Sequence, residues 1–149
     1  PFQERPRPAV SAVILNKEKK VLLTLRSEKV WWPKQWCLPG GHLKGGQDWL
    51  AALREEVSEE VGLEVIKTKL VGIYSDPKVN QLWEPKEAKK LTFVVASFLV
   101  SDFRGEVKFN DEVLETGWFS IDQLPEPLMP SERIKIVDAL RFEGQSFVR

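Results

Sequence analysis

The chain has 149 residues, of which 42% are hydrophobic and 30% are charged, a composition that fits one globular domain (1–149) and excludes a disordered chain. Its 22 Lys and Arg balance its 22 Asp and Glu, so no net charge attracts DNA or an anionic membrane. No apolar run approaches the roughly 20 residues of a membrane span, and the single cysteine, Cys37, cannot form an internal disulfide. We therefore expect a cytoplasmic protein without a DNA or membrane partner.

The first third of the chain has the pattern of short strands joined by polar loops. Residues 9–15 and 21–26 are rich in β-branched and aliphatic side chains, and a polar turn separates them. Residues 27–35 are polar, aromatic and interrupted by proline, which predicts a loop. A short strand over 36–38 then leads into a run of glycines. Cys37 lies between apolar neighbours in this strand, so we interpret it as a packing residue.

A helix is predicted over residues 48–61. Its apolar side chains fall at i, i+3, i+7 and i+11 and form one narrow stripe of Leu50, Leu53, Val57 and Val61. Gly62 follows directly, as is typical of a helix C-terminus.

The second half of the chain predicts four further strands and a final helix. The strand patterns cover 65–74, 91–100, 106–109 and 116–119. The second of these is an uninterrupted apolar run, as expected of a strand covered on both faces. Ser131 is predicted to cap a last helix that continues to about residue 142. These elements indicate an α/β (α+β) fold with a mixed sheet packed between helices.

Three carboxylates share one side of the predicted middle helix. Glu56, Glu59 and Glu60 stand at i, i+3 and i+4, within about 100° of the helix circumference. Like charges at these spacings each destabilise a helix by about 0.2–0.5 kcal/mol. Mg²⁺ prefers oxygen ligands and bridges carboxylates to substrate phosphates, which suits such a patch. A solvated helix face without a ligand is the alternative interpretation.

The residues that surround this patch resemble the Nudix box, G-x5-E-x7-R-E-U-x-E-E-x-G-U, where U is a bulky aliphatic residue. Residues 59–63 read Glu-Glu-Val-Gly-Leu and match its end, and Glu56 and Gly41 then fall on their positions without a gap. The glycine-rich loop 39–47 lies before the helix, as in that family. The resemblance implies a Nudix-like α/β/α sandwich with a mixed β-sheet.

Two positions depart from this pattern. Gln47 stands where the family has its first glutamate, and Glu55 stands where it has an arginine that orients the metal-binding glutamates. Arg54 precedes Glu55, and a local π-bulge in the helix would bring this pair into the family's register. Without a bulge, Arg54 lies about 100° away and cannot replace the missing arginine.

The resemblance also implies a metal site and a set of catalytic residues. Glu56, Glu59 and Glu60 would hold Mg²⁺, or Mn²⁺ as a substitute, with the backbone carbonyl of Gly40 as a further ligand. Glu112, six residues before Trp118, matches the position at which relatives carry a general base, and an exposed acidic turn is the alternative for it. Lesser candidates for this base are Asp111, Glu84 and Glu87.

The expected substrate is a small nucleotide, held by aromatic rings and by groups that meet its phosphates. We expect Trp31, Trp32 and Trp83 to contact it, although tryptophan also packs well in a core. Gly41 and Lys44 are the other predicted substrate-binding residues. Tyr74 is a further candidate for stacking on a base. His42, the one histidine, is interpreted as a tolerated loop residue, with contact to a phosphate as the alternative.

The sequence therefore predicts Mg²⁺-dependent hydrolysis of a pyrophosphate bond in a nucleoside diphosphate derivative. The substrate would be a nucleotide sugar such as ADP-ribose, or a nucleoside triphosphate, and it would release a nucleoside monophosphate. The alternative is a catalytically weakened Nudix-fold module that binds a nucleotide and regulates another process. Exposed tryptophans would also suit a homodimer, and a purely structural domain is the third hypothesis.

Overall fold

A computed structural model of the protein describes residues 5–80 and 92–149. Within these ranges the chain forms eight strands and two helices. In chain order they are β1 Arg7–Ile14, β2 Val21–Arg26, β3 Trp36–Cys37, β4 Gly40–His42, α1 Trp49–Val61, β5 Glu64–Tyr74, β6 Phe93–Arg104, β7 Val113–Phe119, α2 Glu132–Leu140 and β8 Phe147–Val148. A 3₁₀ turn, Ile121–Gln123, links β7 to the segment before α2. In the part of the chain described, no helix is long and apolar enough to cross a membrane.

Five strands form a mixed sheet in the order β4-β1-β6-β5-β8. β1 pairs in parallel with β6, and β5 pairs in parallel with β8, whereas the other neighbours are antiparallel. A parallel pair requires a crossover, and here the connection from β1 to β6 includes α1. The predicted mixed sheet is confirmed.

The helices pack on opposite faces of this sheet, as successive side chains of β1 demonstrate. Val10, Ala12 and Ile14 belong to a core cluster with the buried face of α1. Val13 belongs to a second cluster with Ile136 of α2. Because side chains alternate between the faces of a strand, the sheet is covered on both sides. The α/β/α arrangement expected from the sequence is confirmed.

A second, three-stranded antiparallel sheet, in the order β3-β2-β7, was not anticipated. β2 pairs with β7 along its length, from Val21 opposite Phe119 to Arg26 opposite Val113. β3 pairs with the end of β2 and passes directly into β4, which belongs to the larger sheet. The segment 36–42 therefore connects the two sheets, and it carries the glycines of the site.

Helix α1 has the boundaries that its local sequence predicts. The carboxylate of Asp48 accepts a hydrogen bond from Ala51 N at 2.8 Å and caps the N-terminus, and Gly62 ends the helix with φ +70°. Its buried residues are Ala52, Leu53, Val57 and Val61. Leu50, which the predicted stripe included, is only half-buried because Ala52 occupies the closer approach to the sheet.

Three local predictions differ from the structure. Residues 106–109 form no strand, because Lys108 N donates to Val61 O at 2.9 Å and the segment closes the C-terminal end of α1 instead. Ser131 stands before α2 but makes no capping hydrogen bond, since its hydroxyl contacts Glu132 Oε1. β4 and β8 were not predicted, because each is short and depends on a partner distant in sequence.

Candidate active site

The site begins where β4 crosses beneath α1. The backbone N–H of Gly40 donates to Glu60 Oε2 at 2.8 Å, which fixes this carboxylate against the strand. A Cβ on Gly40 would lie 2.1 Å from the carbonyl oxygen of Val10, so the pairing with β1 leaves no room for a side chain. A glycine is therefore required here for β4 to reach both β1 and α1.

Gly41 makes the same kind of approach to the preceding turn of the helix. A Cβ at this position would lie 2.5 Å from the carboxylate carbon of Glu56. The side chain of Glu56 therefore lies directly over the backbone of Gly41. The two glycines together bring the two carboxylates against one strand.

Glu56 and Glu60 form no ion pair with a lysine or arginine among the described residues, although the charges of Lys44 and Arg26 act on them from a distance. Burial, followed by the charge of Glu59, raises the pKa of Glu56 to about 7. Burial also raises the pKa of Glu60 to about 8, although the hydrogen bond from Gly40 opposes the shift. The charge of Glu112 raises both values further. Desolvation and mutual repulsion both disfavour the ionised forms, and a bound cation would reverse both effects.

A single cavity of about 530 Å³ joins these groups, a size typical of small-molecule sites. Its wall includes Glu56, Glu59, Glu60 and Glu112. Among residues 5–80 and 92–149, however, no three His, Cys, Asp or Glu side chains converge closely enough to hold a metal ion between them. Hard oxygen donors around an open space fit Mg²⁺ that keeps waters and substrate oxygens in its shell. They do not form a closed protein cage.

The two positions that depart from the box contact each other. Gln47 donates a side-chain hydrogen bond to Glu55, and Lys44 Nζ lies 2.5 Å from Glu55 Oε1. The hydrogen bond from Lys44 lowers the pKa of Glu55, so its carboxylate stays ionised near neutral pH. The negative charge at Glu55 is thus neutralised from the glycine loop.

The π-bulge hypothesis is wrong. Helix α1 is α-helical from Trp49 to Val61, and Arg54 is exposed. Arg54 also lies outside the cavity wall, so it does not take the place of the family's arginine. Lys44 is the cation that approaches the glutamates, and its charge interacts with Glu59 and Glu56 as well as Glu55.

The candidates for the general base differ in whether their side chains line the cavity. Glu112 is exposed and lines the cavity, and its backbone carbonyl accepts from Ser27 N at 2.9 Å. Asp111 forms an ion pair with Lys29 at 2.7 Å and does not line the cavity. Glu84 and Glu87 lie outside the described residues.

The aromatic residues predicted to contact the substrate differ in whether they line the cavity. Trp31 and Trp32 line the cavity in an edge-to-face arrangement, with 5.6 Å between ring centroids, and Trp31 is 54% exposed. Tyr74 is fully buried and donates to Asp138 Oδ2 at 2.7 Å, so the interpretation of its ring as a stacking surface is wrong. Trp83 lies outside the described residues.

His42 lines the cavity and is exposed to solvent. Its imidazole stacks on Phe93, with 5.6 Å between centroids. Burial, with a smaller contribution from Arg7 and Arg26, lowers the pKa of His42. The ring is therefore neutral near pH 7 and is a poor partner for a phosphate. Cys37 is buried, and burial raises the pKa of its thiol to about 11, which agrees with a packing role.

Sequence reasoning missed several polar residues of the cavity wall. Arg26 ends β2, donates from Nε to Trp31 O at 2.6 Å, and lowers the pKa of Glu60 through its charge. The others are Asn80, Ser131, Glu132 and Lys135. Glutamate and lysine on a helix are usually exposed, so the buried pair of α2 had no distinguishing feature in the sequence.

Comparison with known proteins places this geometry in a family. The NUDIX domain family matches residues 5–140. A protein named ADP-ribose pyrophosphatase, from Methanocaldococcus jannaschii, is 30% identical over 141 residues, covering 93% of this chain and 76% of the relative. Nucleoside triphosphatase NudI of Escherichia coli is 26% identical over 121 residues, covering 80% of this chain and 86% of the relative.

A solved structure agrees with these matches. The crystal structure of a MutT NUDIX hydrolase from Burkholderia pseudomallei is similar, with a TM-score of 0.76 and 26% sequence identity. The match covers 91% of this chain and 98% of that chain. The likeness extends over almost the whole described fold, beyond the box itself.

Proposed function

Because the chain belongs to the Nudix family and is a Nudix pyrophosphohydrolase, we propose that it cleaves a pyrophosphate bond in a nucleoside diphosphate derivative with a divalent metal ion. One observation carries the proposal. Glu56 and Glu60 are held against the glycines of β4 in a shared cavity, and neither forms an ion pair with a lysine or arginine among the described residues.

Glu56, Glu59 and Glu60 are the proposed metal ligands, with the carbonyl of Gly40 as a further candidate. The ion is Mg²⁺, with Mn²⁺ as a substitute. A divalent ion bound there would neutralise charge on the phosphoryl oxygens and acidify a water. The raised pKa values of Glu56 and Glu60 support this role, since burial and neighbouring carboxylates outweigh the charges of Lys44 and Arg26 there.

The remaining residues of the wall position the substrate and move a proton. A carboxylate oxygen of Glu112 is the proposed acceptor of a proton from the attacking water, because this side chain lines the cavity and Asp111 does not. Arg26 and Lys44 are the cations of the wall that can bind phosphate oxygens near the glutamates. Trp31 and Trp32 provide aromatic surface at the same cavity, and Gly41, whose missing side chain leaves room for the Glu56 carboxylate, is a further proposed substrate contact.

A nucleotide sugar such as ADP-ribose, or a nucleoside triphosphate, is the proposed substrate class. One relative is named an ADP-ribose pyrophosphatase and the other a nucleoside triphosphatase. Both names support a nucleotide substrate, and each supports a different one of these two kinds. The regulatory alternative rests on Gln47 and Glu55. Glu55 contacts both Gln47 and Lys44, and this cluster leaves Glu56, Glu59 and Glu60 at the cavity. The arrangement therefore favours an enzyme over the regulatory alternative.

The test is turnover by the purified protein with a nucleotide panel and Mg²⁺ or Mn²⁺. Hydrolysis in H₂¹⁸O, followed by ³¹P NMR, would identify which phosphorus the water attacks. Glu56→Gln and Glu60→Gln should abolish turnover, whereas Glu64→Gln, an exposed carboxylate outside the cavity, serves as the matched control. Unchanged turnover in both site variants would refute the assignment, and nucleotide binding without turnover would favour the regulatory alternative.

A further inference from the structure

Lys44 and Gln47 begin and end a turn of the glycine loop. Gln47 N donates to Lys44 O at 3.0 Å, and Lys44 N donates to the side-chain oxygen of Gln47 at 2.9 Å. Gly46, inside the turn, has a φ of +86°, a conformation that glycine adopts more readily than other residues. A Cβ on Gly45 or Gly46 would meet no atom within 4 Å beyond its chain neighbours, so both glycines border open space.

Glu55 of α1 receives a donor from each end of this turn. Lys44 Nζ lies 2.5 Å from Glu55 Oε1, and Gln47 Nε2 donates to Glu55 Oε2. The orientation of the Gln47 amide is fixed, because the opposite one would turn its oxygen toward the carboxylate and its nitrogen toward Lys44 N. Both carboxylate oxygens of Glu55 therefore have a partner. We call the three residues Lys44, Gln47 and Glu55 the clasp.

The clasp lies beside the proposed metal ligands without forming part of the cavity. Neither Gln47 nor Glu55 lines the cavity, whereas Lys44 and Glu56 do. The carboxylate of Glu56 lies over the backbone of Gly41, three residues before Lys44. Glu56 directly follows Glu55 on α1. The clasp therefore ties the loop that supports Glu56 to the same turn of helix from which Glu56 projects.

We propose that the clasp positions the metal site: it holds the glycine loop against α1 and so sets the place of Glu56, while Glu55 itself binds no metal. This inference rests on the proposed function and adds Gln47 and Glu55 to it as positioning residues. The two departures from the Nudix box are then one matched change. With a carboxylate at position 55, position 47 must supply an N–H donor, which glutamine has and glutamate lacks.

The test swaps the amide and the carboxylate of the clasp. Gln47→Glu sets two carboxylates against each other, and Glu55→Gln leaves a single acceptor oxygen for two donors. The swapped variant, which combines both substitutions, keeps the net charge and re-forms every contact. Its carboxylate at position 47 accepts from Lys44 N and from the amide at position 55, whose oxygen accepts from Lys44 Nζ. The two substitutions should therefore compensate each other.

Two measurements report on the clasp. Electron paramagnetic resonance gives the Kd of Mn²⁺, and NMR gives the hydrogen-exchange rates of the Lys44 and Gln47 amides in the metal-free protein. Each single variant should bind Mn²⁺ at least about fivefold more weakly, and these amides should exchange at least about tenfold faster, because hydrogen bonds that order the turn are lost. The swapped variant should stay within about twofold of the wild type in both measurements.

The sign of the effect of Gln47→Glu separates the clasp from simple electrostatics. An added negative charge near the site would by itself tighten Mn²⁺ binding, so weaker binding is expected only if the new carboxylate disrupts the clasp. Gln123→Glu, at an exposed glutamine outside the cavity, is the matched control and should leave both measurements unchanged. Tighter Mn²⁺ binding by Gln47→Glu, or a folded swapped variant as impaired as the single variants, would overturn the proposal.

The two proposals fail in different ways. A protein that binds Mn²⁺ with this pattern of compensation but cleaves no nucleotide would overturn the proposed function alone. A protein that cleaves nucleotides, yet shows additive effects of the two substitutions on Mn²⁺ binding, would overturn the clasp alone. If Gln47→Glu does not fold, recovery of the wild-type values in the swapped variant relative to Glu55→Gln decides the question.

Discussion

Glu60 and Glu132 accept hydrogen bonds from the same segment of chain, residues 38–40, but the charges around the two carboxylates are opposite. Glu60 on α1 accepts from Gly40 N, and Glu132 on α2 accepts from Leu38 N. Glu132 has the ammonium of Lys135 beside it, at 3.3 Å. The pKa of Glu60 is raised mainly by burial, and the charges of Glu56 and Glu112 raise it further.

The presence or absence of an ion-pair partner distinguishes Glu132, a structural charge, from Glu60, a proposed functional one. The two charges of the pair on α2 neutralise each other within the protein, and Glu132 holds the helix against the strand. Glu56 and Glu60 on α1 have no ion-pair partner in the part of the chain that the structure describes, and they are proposed ligands of a metal ion. The largest unneutralised charge in the cavity therefore marks the end at which the phosphates are expected.

The strongest test of this comparison is the loss of one carboxylate on α1. Glu60→Gln should lower kcat by at least about a hundredfold, because a bound metal contributes several kcal/mol to transition-state stabilisation. The metal-free protein should keep or gain thermal stability, since a repelled charge is removed. Steady-state kinetics and melting curves measure the two effects. Large destabilisation would mean that Glu60 is a structural charge like Glu132.

The corresponding change in the pair on α2 should affect stability. Lys135→Met leaves Glu132 buried without its partner and should lower the free energy of unfolding by about 3–5 kcal/mol. Adding Glu132→Gln should recover most of this loss, because the amide can still accept from Leu38 N. Urea denaturation measures both. Equal stability of the single and double variants would contradict the view that the pair is self-contained.

The pH dependence of stability sharpens the contrast further. The pKa values of Glu56 and Glu60 are raised from 4.5 to about 7 and about 8 in the folded state. The folded protein then binds more protons than the unfolded chain in this window, so metal-free stability should fall as the pH rises from about 5 to 8. Mg²⁺ should stabilise more at pH 8 than at pH 5, because it competes with protons. Melting curves with and without Mg²⁺ provide the measurement, and a metal-free melting temperature that rises over this range would contradict it.

The smallest expected effect concerns the residues that depart from the box. Lys44→Met removes the cation beside Glu55, which is also a proposed phosphate-binding group, and should lower kcat/KM by about tenfold. Gln47→Glu with Glu55→Arg should restore the family's arrangement. The double variant should be more active than either single variant, measured by kcat/KM and by Mn²⁺ binding in electron paramagnetic resonance. Additive effects would show that positions 47 and 55 act independently.

The features that the sequence predicted well are local ones. The stripe of α1, its end at Gly62 and the shared side of its three glutamates follow from helix geometry alone. The strands β1 and β2 were placed closely, since their apolar runs are bounded by clear turn residues. The errors occurred where the outcome depended on distant partners. Residues 106–109 have a strand pattern, yet their backbone bonds to the end of α1.

The sequence by itself determined the family, the acidic side of α1 and the glycine-rich loop that precedes it, because these depend on short-range spacing. Only the tertiary structure decided which groups share the cavity: it paired Gln47 and Lys44 with Glu55, buried Tyr74, and brought Arg26 to the wall that holds the glutamates. Side chains far apart in the chain meet only when both sheets and both helices are packed, and the buried surroundings of each charge are set by that packing.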